Sequence, residues 1–166
     1  MPRVGRRPVD PERPGLQAGQ PLNPKITIMT QNVELDYAML AEWARVNANG
    51  TLTVIDGSFL KVVAPVGSSV PLSVVGRVRF LHEPYEAQVT IELVIAGGAS
   101  LTFTSRVEAS ETSAYGEQRR HVLFAFSTHA PVLAGGRCKV SVLLDGALVR
   151  ELYYMVLVPG EDETPR

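Results

Sequence analysis

"LDYAMLAEWARVNANGTLTVIDGSFLKVVAP", Leu35–Pro65, decides between a mixed fold and an all-β one. Its first half fits two templates. On helical spacing Leu35, Met39, Trp43 and Val46 form one stripe, and Ala, Leu, Met and Glu all favour helix locally. On strand spacing Tyr37, Met39, Ala41 and Trp43 form one face, leading through "NANG" into "TLTVI". Turn chemistry separates the two. Asn and Gly just past Val46 supply the positive φ that a strand-to-strand turn needs, and the β-branched "TLTVI" continues as a strand. A lone helix between two strands would also need a second connection to restore pairing. Residues 35–46 are therefore predicted as a strand, which leaves Glu42 on the same face as Leu40 and Ala44.

Strand signals repeat on either side of this stretch. "KITIMT" (Lys25–Thr30) alternates and is β-branched. "GTLTVIDGSFLKVVAP" carries Leu52 and Val54, then Phe59 and Val63, with "IDG" as a break. "LSVVGRVRFLH" sets Val74, Gly76, Val78 and Phe80 against Val75, Arg77 and Arg79. "YEAQVTIELVIAGG" puts Val89, Ile91, Leu93 and Ile95 on one face and Gln88, Thr90 and Glu92 on the other, the clearest half-buried strand in the chain. With "SLTFTSRVEAS" it makes a hairpin over residues 85–109. "RHVLFAFSTHAP" follows, and "CKVSVLLDGALVRELYYMVLVP" holds an Asp-Gly pair between apolar runs, a strong hairpin signal. Closely spaced strands, about seven or eight in all, predict an all-β antiparallel β-sandwich of Ig-like or related topology.

The chain of 166 residues has one domain's worth of material, enough to bury a core without metal or disulfide. Sixteen Lys and Arg against seventeen Asp and Glu leave a formal charge of −1, which argues against a protein whose main task is gripping nucleic acid. Residues 1–24 are rich in Pro, Gly and Arg (Arg3, Arg6, Arg7, Arg13) and have no hydrophobic periodicity. They read as a disordered, flexible arm, either a leader or a basic segment that docks on a partner. The sandwich is expected over 25–158 and a short acidic tail over 159–166. Cys138 is the only cysteine, so no internal disulfide is expected, in keeping with a reducing compartment. No apolar run approaches the roughly 20 residues of a membrane-spanning helix, and the positive N-terminus has no apolar segment behind it. The expected location is cytoplasmic, with no membrane contact.

"DYAMLAEWARVNANGTLTVIDGSFLKVVAP", followed at long range by "LLDGALVRELYYMVLV", resembles an uncharacterised bacterial β-sandwich family of the DUF6941 type. Members of that family open with an Asp-Tyr-Ala-Leu-Leu-type strand, turn at a Gly, continue in a Leu-Thr-Ile-Ile-Gly-type strand and close with a Leu-Asp-Gly hairpin. The resemblance covers roughly Val33 to Val158 and implies a β-sandwich with the strand reading of Leu35–Val46. It carries across no catalytic residues. "VIDGSF" departs from the pattern by placing Asp56 before the Gly, where the family leads one to expect an apolar residue.

Catalytic motifs are absent. His82, His121 and His129 lie far apart with no metal-ligand spacing, and neither "AYGEQ" nor "DGSFL" matches the Gly-x-Ser-x-Gly elbow. Cys138 sits mid-strand as a small apolar filler. Asp36, Glu42 and Asp56 offer two facing carboxylates, but acid–base work also needs a cleft. "AGG" at Ala96–Gly98 and at Ala134–Gly136 is turn punctuation, with no Lys-Ser or Lys-Thr to follow. Glu83, Glu86, Glu108 and Glu111 are too thinly spaced to make a Ca²⁺ loop. No metal and no cofactor are expected, and the chain reads as a non-enzyme.

The aromatic residues offer the candidate site. Tyr153 and Tyr154 fall on opposite faces of the last strand, so one points outward. With Phe80 and Tyr85 of "RFLHEPY", and with Trp43, they are the partner-binding candidates. "VSVLL" and "YYMVLV" are almost unbroken apolar runs, which predicts cover on both faces, by a second chain or a packed loop. The leading expectation is a non-enzymatic β-sandwich that binds a protein partner or forms a homo-oligomer. A small-molecule or carbohydrate module using end loops is the alternative, with Trp43, Tyr85 and Tyr115 as stacking residues. A hydrolase with a dispersed site ranks third.

Overall fold

In a computed structural model, which describes residues 32–110 and 120–160, the ambiguous stretch Leu35–Val46 is a strand. Nine strands are present among the described residues: β1 (Val33–Val46), β2 (Leu52–Gly57), β3 (Lys61–Val63), β4 (Ser69–Phe80), β5 (Glu86–Val94), β6 (Ser100–Glu108), β7 (Arg120–Pro131), β8 (Gly136–Leu144) and β9 (Ala147–Leu157). That is more than the seven or eight expected, because the β-branched "KVV" forms a short strand of its own as β3. The expected strand at Lys25–Thr30, the arm over 1–24 and most of the acidic tail lie outside the described residues. No helix long and apolar enough to cross a membrane occurs among the described residues.

The strands form two sheets, in the orders β2-β1-β4-β7 and β3-β9-β8-β5-β6. All neighbours are antiparallel except β3 and β9, which run parallel. One sheet sets β1, β4 and β7 side by side, and the other sets β9, β8, β5 and β6. With β1 as A, β4 as B, β5 as C, β6 as C′, β7 as E, β8 as F and β9 as G, this is the A-B-E against G-F-C-C′ arrangement of an Ig-like sandwich. The inner faces supply the core: Val74, Val78 and Phe80 from β4, Val89, Ile91 and Leu93 from β5, and Cys138, Val140, Val142 and Leu144 from β8. Val89, Ile91, Leu93 and Ile95 are buried while Gln88 and Glu92 are exposed, as the alternation requires. Aliphatic packing here replaces any disulfide between the sheets, since the single thiol is free.

The double character of Leu35–Val46 has a structural cause. β1 is covered on both sides over much of its length. Ala38 and Leu40 face the main core, whereas Ala41 and Ala44 join Val75 in a second cluster with Met39, Leu52, Val54 and Ala125. A register shift between Leu35 and Tyr37 inserts Asp36 as a bulge against β4. Two-sided burial and one extra residue together produce apolar spacing that mimics a helix. The far half of the β1–β2 hairpin lies close enough to β7 for Ser127 Oγ to donate to the Ala44 carbonyl at 3.4 Å. The "NANG" turn closes as expected, with Gly50 at φ +75° and the Asn47 side chain donating to Thr51 Oγ1 and Thr53 Oγ1.

The last hairpin also follows its sequence signal. Asp145 (φ 48°) and Gly146 (φ 81°) are both left-handed, as a two-residue type I′ turn demands. Asp145 Oδ1 accepts the Gln88 amide at 2.8 Å, and the Asp145 amide donates to the Gln88 carbonyl at 2.9 Å. That pair of bonds ties the turn to β5.

Candidate functional site

The aromatic candidates do not converge. Phe80 and Tyr154 are core residues, at 0% and 2% exposure, so neither belongs to a surface patch. Phe80 points inward because it follows Val74, Gly76 and Val78 on the core face of β4, and its ring meets Tyr85 edge-on at 6.4 Å. Tyr154 lies directly opposite Cys138 and packs edge-on against Phe59 at 5.7 Å. Burial, and then the neighbouring Cys138, push its phenol well above the ordinary tyrosine range. Of the adjacent tyrosines, Tyr153 is the one that points outward.

Tyr85 borders an open groove of about 450 Å³ with Glu83, Pro84, Glu86, Glu108 and Arg120. The Arg120 guanidinium stacks on the Tyr85 ring at 4.0 Å, and Glu86 is paired with Arg106. Three of the four glutamates considered for Ca²⁺ line this groove, while Glu111 lies outside the described residues, as does Tyr115. No group of three or more His, Cys, Asp and Glu fit to hold a metal occurs among the described residues. Tyr153 is in register with Lys139 and through it with Val94, at the far end of nine-residue β5, so it stands roughly 30 Å from Tyr85 along the sheet. Trp43 lies elsewhere again, on the β1–β2 hairpin opposite Ile55 with Arg45 over its ring.

Around Tyr153 the structure exposes an apolar strip. Parallel pairing sets Lys61, Val62 and Val63 beside Met155, Val156 and Leu157. Val62 and Val156 turn inward, which leaves Val63 (64% exposed), Met155 (42%) and Tyr153 (36%) on the outer face, with Leu60 (78%) next to them. The second cover expected for "YYMVLV" is therefore not supplied by the described residues. On β8 the outer face carries half-buried Lys139 and Leu143 and buried Ser141. Arg137 stacks on Tyr153 at 3.8 Å, and the Tyr153 hydroxyl donates to Glu151 at 2.6 Å. That bond raises the phenol and, with Lys139 alongside, lowers the Glu151 carboxyl below its usual range. Leu60, Val63 and Met155 were missed by sequence reasoning. The signal for Leu60 and Val63 was the run "SFLKVVAP", whose apolar residues exceed what a three-residue edge strand can bury, and for Met155 it was the run "YYMVLV".

The three carboxylates of the opening hairpin separate. Asp36, at the bulge, is paired with Arg77 and lies 3.5 Å from Arg79. Glu42 and Asp56 do come together, on the rim of a cavity of about 310 Å³ floored by Phe59, Val62, Val70 and Pro71 and shared with Lys61. Asp56 reaches this rim through left-handed backbone at φ 48°, and Ser58, which follows Gly57, is also left-handed at φ 60°. Cys138 is fully buried and accepts the Ala96 amide at 3.3 Å, which is the setting of a packed thiol.

No protein-family model matches the chain, and no curated protein matches it. The resemblance to the DUF6941-type family thus rests on the sequence motifs alone. Among solved structures, one that is similar is the alkylpurine DNA glycosylase AlkC of Pseudomonas fluorescens bound to DNA containing an abasic site analog, at 14% identity and a TM-score of 0.43. The match covers 76% of this chain but only 30% of that one. Another is an immunoglobulin-like protein of Pseudomonas aeruginosa, at 14% identity and a TM-score of 0.38, covering 75% of this chain and 96% of that one. Likeness at this level concerns the fold and carries nothing about activity.

Proposed function

We propose that this protein is a non-enzymatic β-sandwich module that works by association, through the strip formed by Leu60, Val63, Tyr153 and Met155. The exposure of these four side chains on adjoining strands carries the reading. Apolar side chains grouped on a sheet face gain free energy only when another surface covers them, at about 25 cal/mol per Å² removed from water. β3 ends its sheet among the described strands, so among the described residues the edge beside it is open to a partner as well as the face. The partner is a second copy of the chain or another protein with a matching apolar surface.

Light scattering coupled to size exclusion on the full chain tests this, beside a variant carrying Val63→Lys and Met155→Lys. The expected result is a discrete oligomer that the double substitution returns to a monomer. A wild type that stays monomeric at every concentration overturns self-association. An oligomer unchanged by the substitutions moves the interface away from this strip.

A further inference from the structure

We propose that the cavity between the β1–β2 hairpin and β3 binds a small zwitterionic amine, a molecule with an ammonium group and a carboxylate joined by a short apolar body. The argument begins with Glu42. Glu42 is exposed between buried Ala41 and Ala44 on β1, and it lines the cavity together with Asp56 from β2 and Lys61 from β3.

Three charges therefore share one concavity, yet among the described residues none of them makes a hydrogen bond or ion pair with another side chain. Elsewhere in the fold, opposed charges within reach do pair: Asp36 with Arg77, Glu86 with Arg106, and Glu151 with Lys139. At this rim the carboxylates and the ammonium stay apart, which is the spacing a ligand between them would use.

Charge and shape then narrow the ligand. Two carboxylates select an ammonium or guanidinium and reject a lone anion, while Lys61 selects a carboxylate and works against a lone cation. The floor of Phe59, Val62, Val70 and Pro71 offers no side-chain donor, so the body between the two charges is apolar. The Phe59 ring, itself supported edge-on by Tyr154, adds an aromatic surface to this floor. At about 310 Å³ the cavity stands at the small end of ligand pockets, which limits the body to a few carbons. The inference goes beyond the association reading, and the Val63 and Met155 substitutions that test that reading leave all three charges in place.

The test is nitrogen-15 NMR titration of the full chain with 6-aminohexanoate, and with hexylamine and hexanoate as probes that each lack one charge. The expected result is a saturable set of shifts confined to residues 42, 56–62 and 70, with a dissociation constant on the order of 1 mM for so small a ligand. A double variant, Glu42→Gln with Asp56→Asn, should weaken 6-aminohexanoate roughly tenfold, as removal of charge-assisted bonds implies. Lys61→Ala should remove the advantage of 6-aminohexanoate over hexylamine. All three positions are exposed, so the spectrum away from the cavity should stay folded and unchanged. Absence of saturable shifts at about ten times the expected constant, equal binding of hexanoate, or indifference to the double variant would each overturn the proposal.

Discussion

The ring of Phe124 lies directly against Gly76, its register neighbour across β4 and β7. A Cβ placed on Gly76 would stand 2.6 Å from Phe124 Cζ and 2.4 Å from the Tyr37 carbonyl oxygen. Both approaches are below any real Cβ contact, and the second is to backbone beside the Asp36 bulge. Gly76 thus leaves room for the ring in the core while β1 bends past on the other side.

Gly76→Ala is expected to destabilise the fold by about 2 kcal/mol or more, in the range of overpacked cores. Urea unfolding measures it as a lower midpoint at unchanged slope. Adding Phe124→Leu should restore part of the loss, because it relieves the ring but leaves the Tyr37 carbonyl in place. Full restoration would show that the ring alone causes the clash.

Asp145→Ala is expected to cost about 2 kcal/mol, combining a lost hydrogen bond to the Gln88 amide with a left-handed φ that alanine resists. Asp145→Asn should cost under about 1 kcal/mol, since Asn keeps an acceptor and tolerates the same φ. Equal midpoints for Ala and Asn in chemical unfolding would refute the role given to the side chain.

Tyr154 makes stability sensitive to alkali. Its folded pKa is raised above the unfolded value of about 10, so its stabilising contribution is fully present below that pH. As pH rises beyond about 10 the unfolded chain releases the proton more readily, and the contribution is lost on the way up to the folded pKa. Melting temperatures between about pH 8 and 11 should fall for the wild type and fall less steeply for Tyr154→Phe.

Glu151 behaves in the opposite sense. Its carboxyl is held down chiefly by the Tyr153 hydroxyl, so its contribution is present above the unfolded pKa and lost as pH falls through the folded one. The group is exposed, so the effect shows in titration rather than in stability. Carbon-detected NMR titration should place Glu151 below the usual glutamate value of about 4.3, and Tyr153→Phe should move it upward.

Much of the sandwich was legible because its signals are local. The alternation of Val89, Ile91, Leu93 and Ile95 reports a face, and the Asp145–Gly146 pair reports a turn that few other residues can make. The strand at Leu35–Val46 was legible only through the turn behind it, because burial on both faces and the Asp36 bulge erase the period of two. Outward and inward aromatic residues were not separable along "LYYMV". Alternation says that Tyr153 and Tyr154 differ, and only the packing of Phe59 and Cys138 decides which one is buried.

The order of polar and apolar residues, together with glycine and asparagine at the turns, determined that this chain makes antiparallel strands and where most of them begin. Those choices depend on the few residues around each position. Tertiary structure alone decided which strands become neighbours, that β3 joins β9 in parallel, and that Glu42, Asp56 and Lys61 meet at one rim while Asp36 turns away to Arg77. Such meetings depend on how strands pair and how two sheets twist and stack, which the local order of polar and apolar residues does not specify.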